Sequence, residues 1–123
     1  MTPEEITLTL PRERPFFRVA HLVLGGLAAR LDLSVDQLED LQVAIEELLG
    51  QHETERDVSV TVRISDDAIE ALVGPFDESL TRELARDGVD GVGLRRVLET
   101  VMDRVEITER DGEPWVTLRK AVS

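Results

Sequence analysis

Alternation of apolar and polar positions marks several stretches of this chain as strands, and helical recurrence marks others, so the pattern alone sketches a fold. Between Glu4 and Leu10, Ile6, Leu8 and Leu10 alternate with Thr7 and Thr9, and Pro11 closes the run. This is a half-buried first strand. Pro15 then stands where a helix can begin, and Phe16, Val19, Ala20, Leu22, Val23, Leu27 and Leu31 recur at helical spacing. Gly25-Gly26 lies inside that helix, at a place suited to close packing or a slight bend. Ser34 has the look of an N-cap and Gln37, three residues on, completes a capping box. The second helix buries Leu38, Leu41, Ala44, Ile45 and Leu48 and fades between Gly50 and His52, with a charged loop from Glu53 to Asp57.

Val58, Val60, Val62 and Ile64 alternate with Ser59, Thr61, Arg63 and Ser65, the clearest strand in the chain. Asp66-Asp67 turns it into a second run, Ala68 to Val73, which pairs with it antiparallel and ends at Gly74-Pro75. Phe76 to Asp90 reads as a polar, acidic stretch with one helical turn around Thr81 to Ala85. Leu94, Val97, Leu98, Val101 and Met102 predict a third long helix, and Val105 to Thr108 with Trp115 to Leu118 predict a closing hairpin around Asp111-Gly112. Each strand has one apolar face and each long helix one apolar stripe. The expected fold is therefore α+β, a two-layer sandwich: a mixed, mostly antiparallel sheet of about five strands with three main helices on one face.

Composition narrows the function. At 123 residues, 41% of them hydrophobic, the chain suits one domain with a real core. The absence of cysteine rules out disulfides and thiolate metal sites and fits a cytoplasmic protein. No apolar run approaches membrane-spanning length, so no membrane partner is expected. A net charge of -12, spread along the chain, argues against direct nucleic-acid binding and suits a basic protein partner. His21 and His52 lack ligand-spaced partners, and Trp115 serves either packing or an interface, packing being the simpler reading.

Two features carry candidate chemistry. On a helix advancing about 100° per residue, Glu47 and Gln51 fall side by side at the edge of the stripe formed by Leu41, Ala44, Ile45 and Leu48, while Glu46 points away. A carboxylate at such a border is suited to act as a general base, although an ordinary solvated glutamate fits the same position. Gly91-Val92-Gly93-Leu94, opening the next helix, would leave backbone N–H groups free for phosphate oxygens; a plain tight turn fits equally well. Asp87 and Asp90 would oppose phosphate unless offset by magnesium or by Arg86, Arg95 or Arg96.

Taken in order, Pro15-Phe16-Phe17-Arg18, Leu41-Gln42-Val43-Ala44-Ile45-Glu46-Glu47-Leu48, Gly91-Val92-Gly93-Leu94-Arg95-Arg96-Val97-Leu98, Met102-Asp103-Arg104-Val105-Glu106 and Val116-Thr117-Leu118-Arg119-Lys120 resemble the anti-sigma serine kinases, which share the histidine-kinase-like ATPase fold. The resemblance implies a single domain over residues 1–123, ATP and magnesium as cofactors, and a homodimer. It also implies two partners, a sigma factor that is sequestered and a small anti-anti-sigma (STAS-type) protein that is phosphorylated on serine. By the same resemblance Glu47 is the catalytic base, Gly91, Gly93 and Leu94 bind phosphate, and Gln51 holds magnesium. Asp77 would be a displaced stand-in for the adenine-binding aspartate. Arg18, by its position near the start of the first helix, is a candidate contact with the protein partner or the second subunit.

This sequence departs from the family pattern in three places. Gln51 stands where the family has a magnesium-binding asparagine, and octahedral magnesium tolerates little misplacement of an oxygen. Val73-Gly74-Pro75-Phe76-Asp77 has no aspartate at the strand end. Gly112-Glu113-Pro114-Trp115 replaces the usual glycine-threonine. The expected function is thus an anti-sigma-factor-like regulator in a partner-switching pathway with weak or absent ATP binding; the alternative is an active serine-protein kinase.

Overall fold

In the computed structural model, which describes residues 4–11, 13–31, 34–51, 57–65, 67–85 and 93–121, five strands and four helices form two layers. They run β1 (Glu4–Pro11), α1 (Arg14–Leu31), α2 (Val35–Gln51), β2 (Asp57–Ile64), β3 (Ala68–Gly74), α3 (Glu78–Ala85), α4 (Leu94–Val101), β4 (Arg104–Arg110) and β5 (Glu113–Ala121). The strand order is β1-β2-β3-β5-β4 and every pairing is antiparallel, so the sheet is wholly antiparallel rather than mixed.

Register sorts the side chains. Leu8 and Leu10 pair with Val60 and Val58, Val62 with Ala71, Val73 with Val116, and Val105 with Leu118. These residues share the face turned to the helices, and most of them are fully buried in the core. The opposite face carries Thr7 bonded to Thr61 (3.0 Å), Thr9 to Ser59 (2.9 Å), Arg63 to Glu5 (2.8 Å) and Arg119 to Glu70. That polar lattice explains why the alternation is so regular: one face meets helices and the other none of the described elements.

The capping box forms as the sequence predicts. Gln37 N donates to Ser34 Oγ and Ser34 N to Gln37 Oε1, each at 3.1 Å. Leu41, Ala44, Ile45, Leu48 and Leu49 of α2 are buried at the centre of the core, each large aliphatic side chain stabilising the fold by about 1.5–3 kcal/mol. At the hairpin tip Asp111 and Gly112 both have positive φ, 54° and 78°, the two left-handed residues of a type I′ turn.

Four expectations need correction. The buried stripe of α1 is Phe17, Ala20, Leu24 and Leu27, while Phe16, Val19 and Leu22 are exposed. α1 is apolar on more than one side, so periodicity alone does not choose its inner face. Gly25 and Gly26 do not serve close packing among the described residues, since a Cβ on either meets none of them within 4 Å. The stretch from Phe76 is not merely polar: α3 is an eight-residue helix, and Phe76, Leu80 and Leu84 are buried in the core. The helix after the glycine turn is short, eight residues rather than a long one. The loop 52–56 and the stretch 86–92 lie outside the described residues. None of the described helices is long and apolar enough to cross a membrane.

Candidate functional site

The core stripe of α2 leaves Glu47 at its margin, half-buried, with no hydrogen-bond or ion-pair partner for its carboxylate among the described residues. Glu46 points elsewhere: its Oε1 lies 2.5 Å from His21 Nε2 of α1, at ion-pair distance but not aligned for a hydrogen bond. Adjacent glutamates are thus separated in role by helical geometry. Gln51 ends α2, and its side chain lies outside the described residues.

α4 packs against α2, which brings the helix begun by Gly93 beside the helix that carries Glu47. Gly93 is the N-cap residue in an extended conformation (φ -83°, ψ 160°), and no side chain of the described residues caps the turn. Its carbonyl accepts from Val97 N at 3.1 Å, while the N–H groups of Leu94, Arg95 and Arg96 begin the helix without an intrahelical acceptor. Leu94 is buried, so its backbone and not its side chain is what the turn can offer. Gly91 lies outside the described residues.

Two basic residues fix these helices in place: Lys120, to which sequence reading assigned no separate role, and Arg95, expected only as an offset for Asp87 and Asp90. Lys120 of β5 places Nζ 2.8 Å from Asp40 Oδ2 of α2 and donates to the Val101 carbonyl at the end of α4 at 2.9 Å. Its side chain is 16% exposed, so the ammonium is largely withdrawn from water and holds both helices to the sheet. Arg95 Nε donates to the Leu84 carbonyl at 3.1 Å, joining the start of α4 to the end of α3.

At the end of β3 the arrangement is different. Phe76 is 2% exposed, and its N–H donates to the Pro114 carbonyl at 2.8 Å. Asp77 is exposed and caps α3: its Oδ1 accepts from Ser79 N at 2.9 Å and from the Ser79 hydroxyl. Gly74 faces the other side of the sheet beneath Trp115, where a Cβ would lie 2.5 Å from the indole Cδ2, and Arg110 stacks over the same ring at 5.2 Å. Trp115 is therefore a packing residue of the open face. Arg18 is exposed on α1, at the other end of the helical layer.

An ATP molecule asks for donors at its phosphates and an acceptor at its adenine amino group. The uncapped first turn of α4 fits the first demand. The end of β3 does not fit the second, since its inward side chains are Val73 and Phe76 and its nearest carboxylate is engaged in capping.

No protein-family model matches the chain. Among proteins of known name, the serine-protein kinase RsbW of Bacillus velezensis is 28% identical over 130 residues, covering 87% of this chain and 79% of its own length. The serine-protein kinases RsbW of Listeria monocytogenes and Bacillus subtilis are 28% and 27% identical, each over nearly nine-tenths of this chain. The chain is similar to the RsbW serine-protein kinases along most of its length. The similarity spans both ends of the candidate site, so it includes Glu47 and the Gly93 turn as well as the altered end of β3. Against these relatives the five-stranded sheet with its helical layer is the structure that the resemblance to anti-sigma serine kinases implies.

Proposed function

We propose that this chain is an anti-sigma-factor-like regulator that binds a sigma factor, an anti-anti-sigma protein, or each in turn, with weak or absent ATP binding. The observation that carries this reading is the pairing of similarity to RsbW along most of the chain with an apolar end of β3, where Val73 and Phe76 are buried and the Asp77 carboxylate caps α3. Losing that hydrogen bond to adenine costs about 1–3 kcal/mol of nucleotide affinity. Partner surfaces do not depend on it.

Such a surface is supported on α1. Phe16, Val19 and Leu22 form an exposed apolar ridge, with Leu22 73% exposed, and Arg18 lies among them. A ridge of this kind suits a protein partner or a second copy of the chain in a homodimer. The test is to measure binding of the source organism's sigma factors, one at a time, without nucleotide. The reading expects one to be retained, with retention lost in a Leu22→Asp variant. A strict requirement for ATP would contradict it.

One observation favours the kinase alternative. Glu47 is half-buried and unpartnered among the described residues, on a helix that packs against α4, whose first turn has no side-chain cap among those residues; a base near a phosphate site would be placed on such a helix. In that reading Glu47 takes the proton of the substrate serine hydroxyl. Glu47→Gln should then abolish phosphate transfer and leave partner binding intact, and equal transfer by the variant removes Glu47 as the base.

A further inference from the structure

A cleft of about 450 Å³ lies at the end of the helical layer farthest from α1, between α3 and the β4–β5 hairpin. Its apolar lining is Ile107 and Pro114, and its polar lining includes Glu78, Arg82 and Glu109. Ile107 pairs with Val116, and so shares the helix-facing side of the sheet. Neither the Glu78 nor the Glu109 carboxylate has a partner among the described residues. Carboxylates outnumber the guanidinium of Arg82, and on the adjoining turns of α3 and the hairpin Asp77, Glu83, Asp111 and Glu113 outnumber Arg110.

The cleft runs along a sheet edge. β4 pairs with β5 on one side and with none of the described strands on the other, so alternate backbone N–H and C=O groups face outward. A strand laid beside β4 would satisfy those groups and turn every second side chain toward the helices, into the space between α3 and β4. Lysine or arginine at those positions can lie with its methylene stem on Ile107 and Pro114 and its charge at Glu78 or Glu109. The opposite edge does not offer this, because the groove between β1 and α1 is apolar and holds only about 10 Å³.

We propose that the β4 edge and the α3–β4 cleft together form a docking site for an extended segment of a partner protein with basic residues at alternate positions. The net charge of -12 steers such a segment toward the chain, while the cleft and the strand edge select its spacing and conformation. This site is separate from the α1 ridge and adjoins the β3 end of the candidate nucleotide site through Glu78 and Pro114, but it needs neither ATP nor Glu47 and stands whichever reading of those holds.

The test is fluorescence polarisation of the full chain with a labelled peptide of about ten residues in which lysine and valine alternate, at physiological salt. Two further peptides are compared with it: one with glutamate in place of lysine, and one N-methylated on alternate backbone nitrogens. The basic peptide should bind saturably. Both the Glu78→Gln/Glu109→Gln double variant and the N-methylated peptide should weaken binding roughly tenfold or more, while Glu5→Gln on the opposite edge changes it less than about twofold. The glutamate peptide should not bind. Equal losses in the double variant and in Glu5→Gln would reduce the effect to general charge attraction, and full binding by the N-methylated peptide would remove the strand pairing. Either result, or no binding of the basic peptide, overturns the proposal.

Discussion

At the α2–α4 end of the candidate site, Glu47 is half-buried and unpartnered among the described residues, and the first turn of α4 has no side-chain cap. At the β3 end, Phe76 is buried in the core and the Asp77 carboxylate caps α3. The first end has polar groups that no side chain among the described residues uses; the second has given its residues to packing and capping. Ligand contacts leave groups unsatisfied in the free protein, whereas structural contacts satisfy them at once. On the proposed reading, the α2–α4 end keeps the form of a phosphate site while the β3 end serves the fold.

The sharpest way to break this contrast is at Phe76. If its ring is core, Phe76→Ala should cost about 3–5 kcal/mol in urea unfolding. A cost near zero would return the β3 end to the status of an open site. Gly74 gives the next effect: Gly74→Ala drives a Cβ into Trp115 and should cost about 1–3 kcal/mol. Adding Trp115→Ala should recover part of that, measured as a coupling between the two sites.

Lys120→Met probes what holds α2 and α4 together. Loss of its contacts to Asp40 and the Val101 carbonyl should cost about 1–2 kcal/mol, less than for a fully buried pair because Asp40 is partly in water. The smallest effect is expected at Glu47, where Glu47→Gln should change stability by less than about 0.5 kcal/mol. A large loss there would mean that its carboxylate has a structural task after all.

The strands, the α2 stripe, the Ser34 capping box and the hairpin turn were all legible in the sequence, because each rests on a short-range pattern with one physical solution. The inner face of α1 was not. Phe16, Val19 and Leu22 repeat as well as Phe17, Ala20 and Leu24 do, and only contact with the sheet separates the two sets. α3 was half seen, since its acidic residues masked the spacing of Phe76, Leu80 and Leu84, which was signal enough to extend it. In the candidate site, Glu47 and Gly93 were legible by position on their helices. The ties made by Lys120 and Arg95 were not, because both reach carbonyls on elements distant in sequence or beyond an intervening loop.

Calorimetric titration of the chain with ATP and magnesium, paired with a melting curve, tests the central claim most directly. The account predicts no saturable heat up to millimolar ATP and an unchanged melting temperature. A dissociation constant in the micromolar range, about -8 kcal/mol, would contradict it and show that the β3 end still receives the nucleotide.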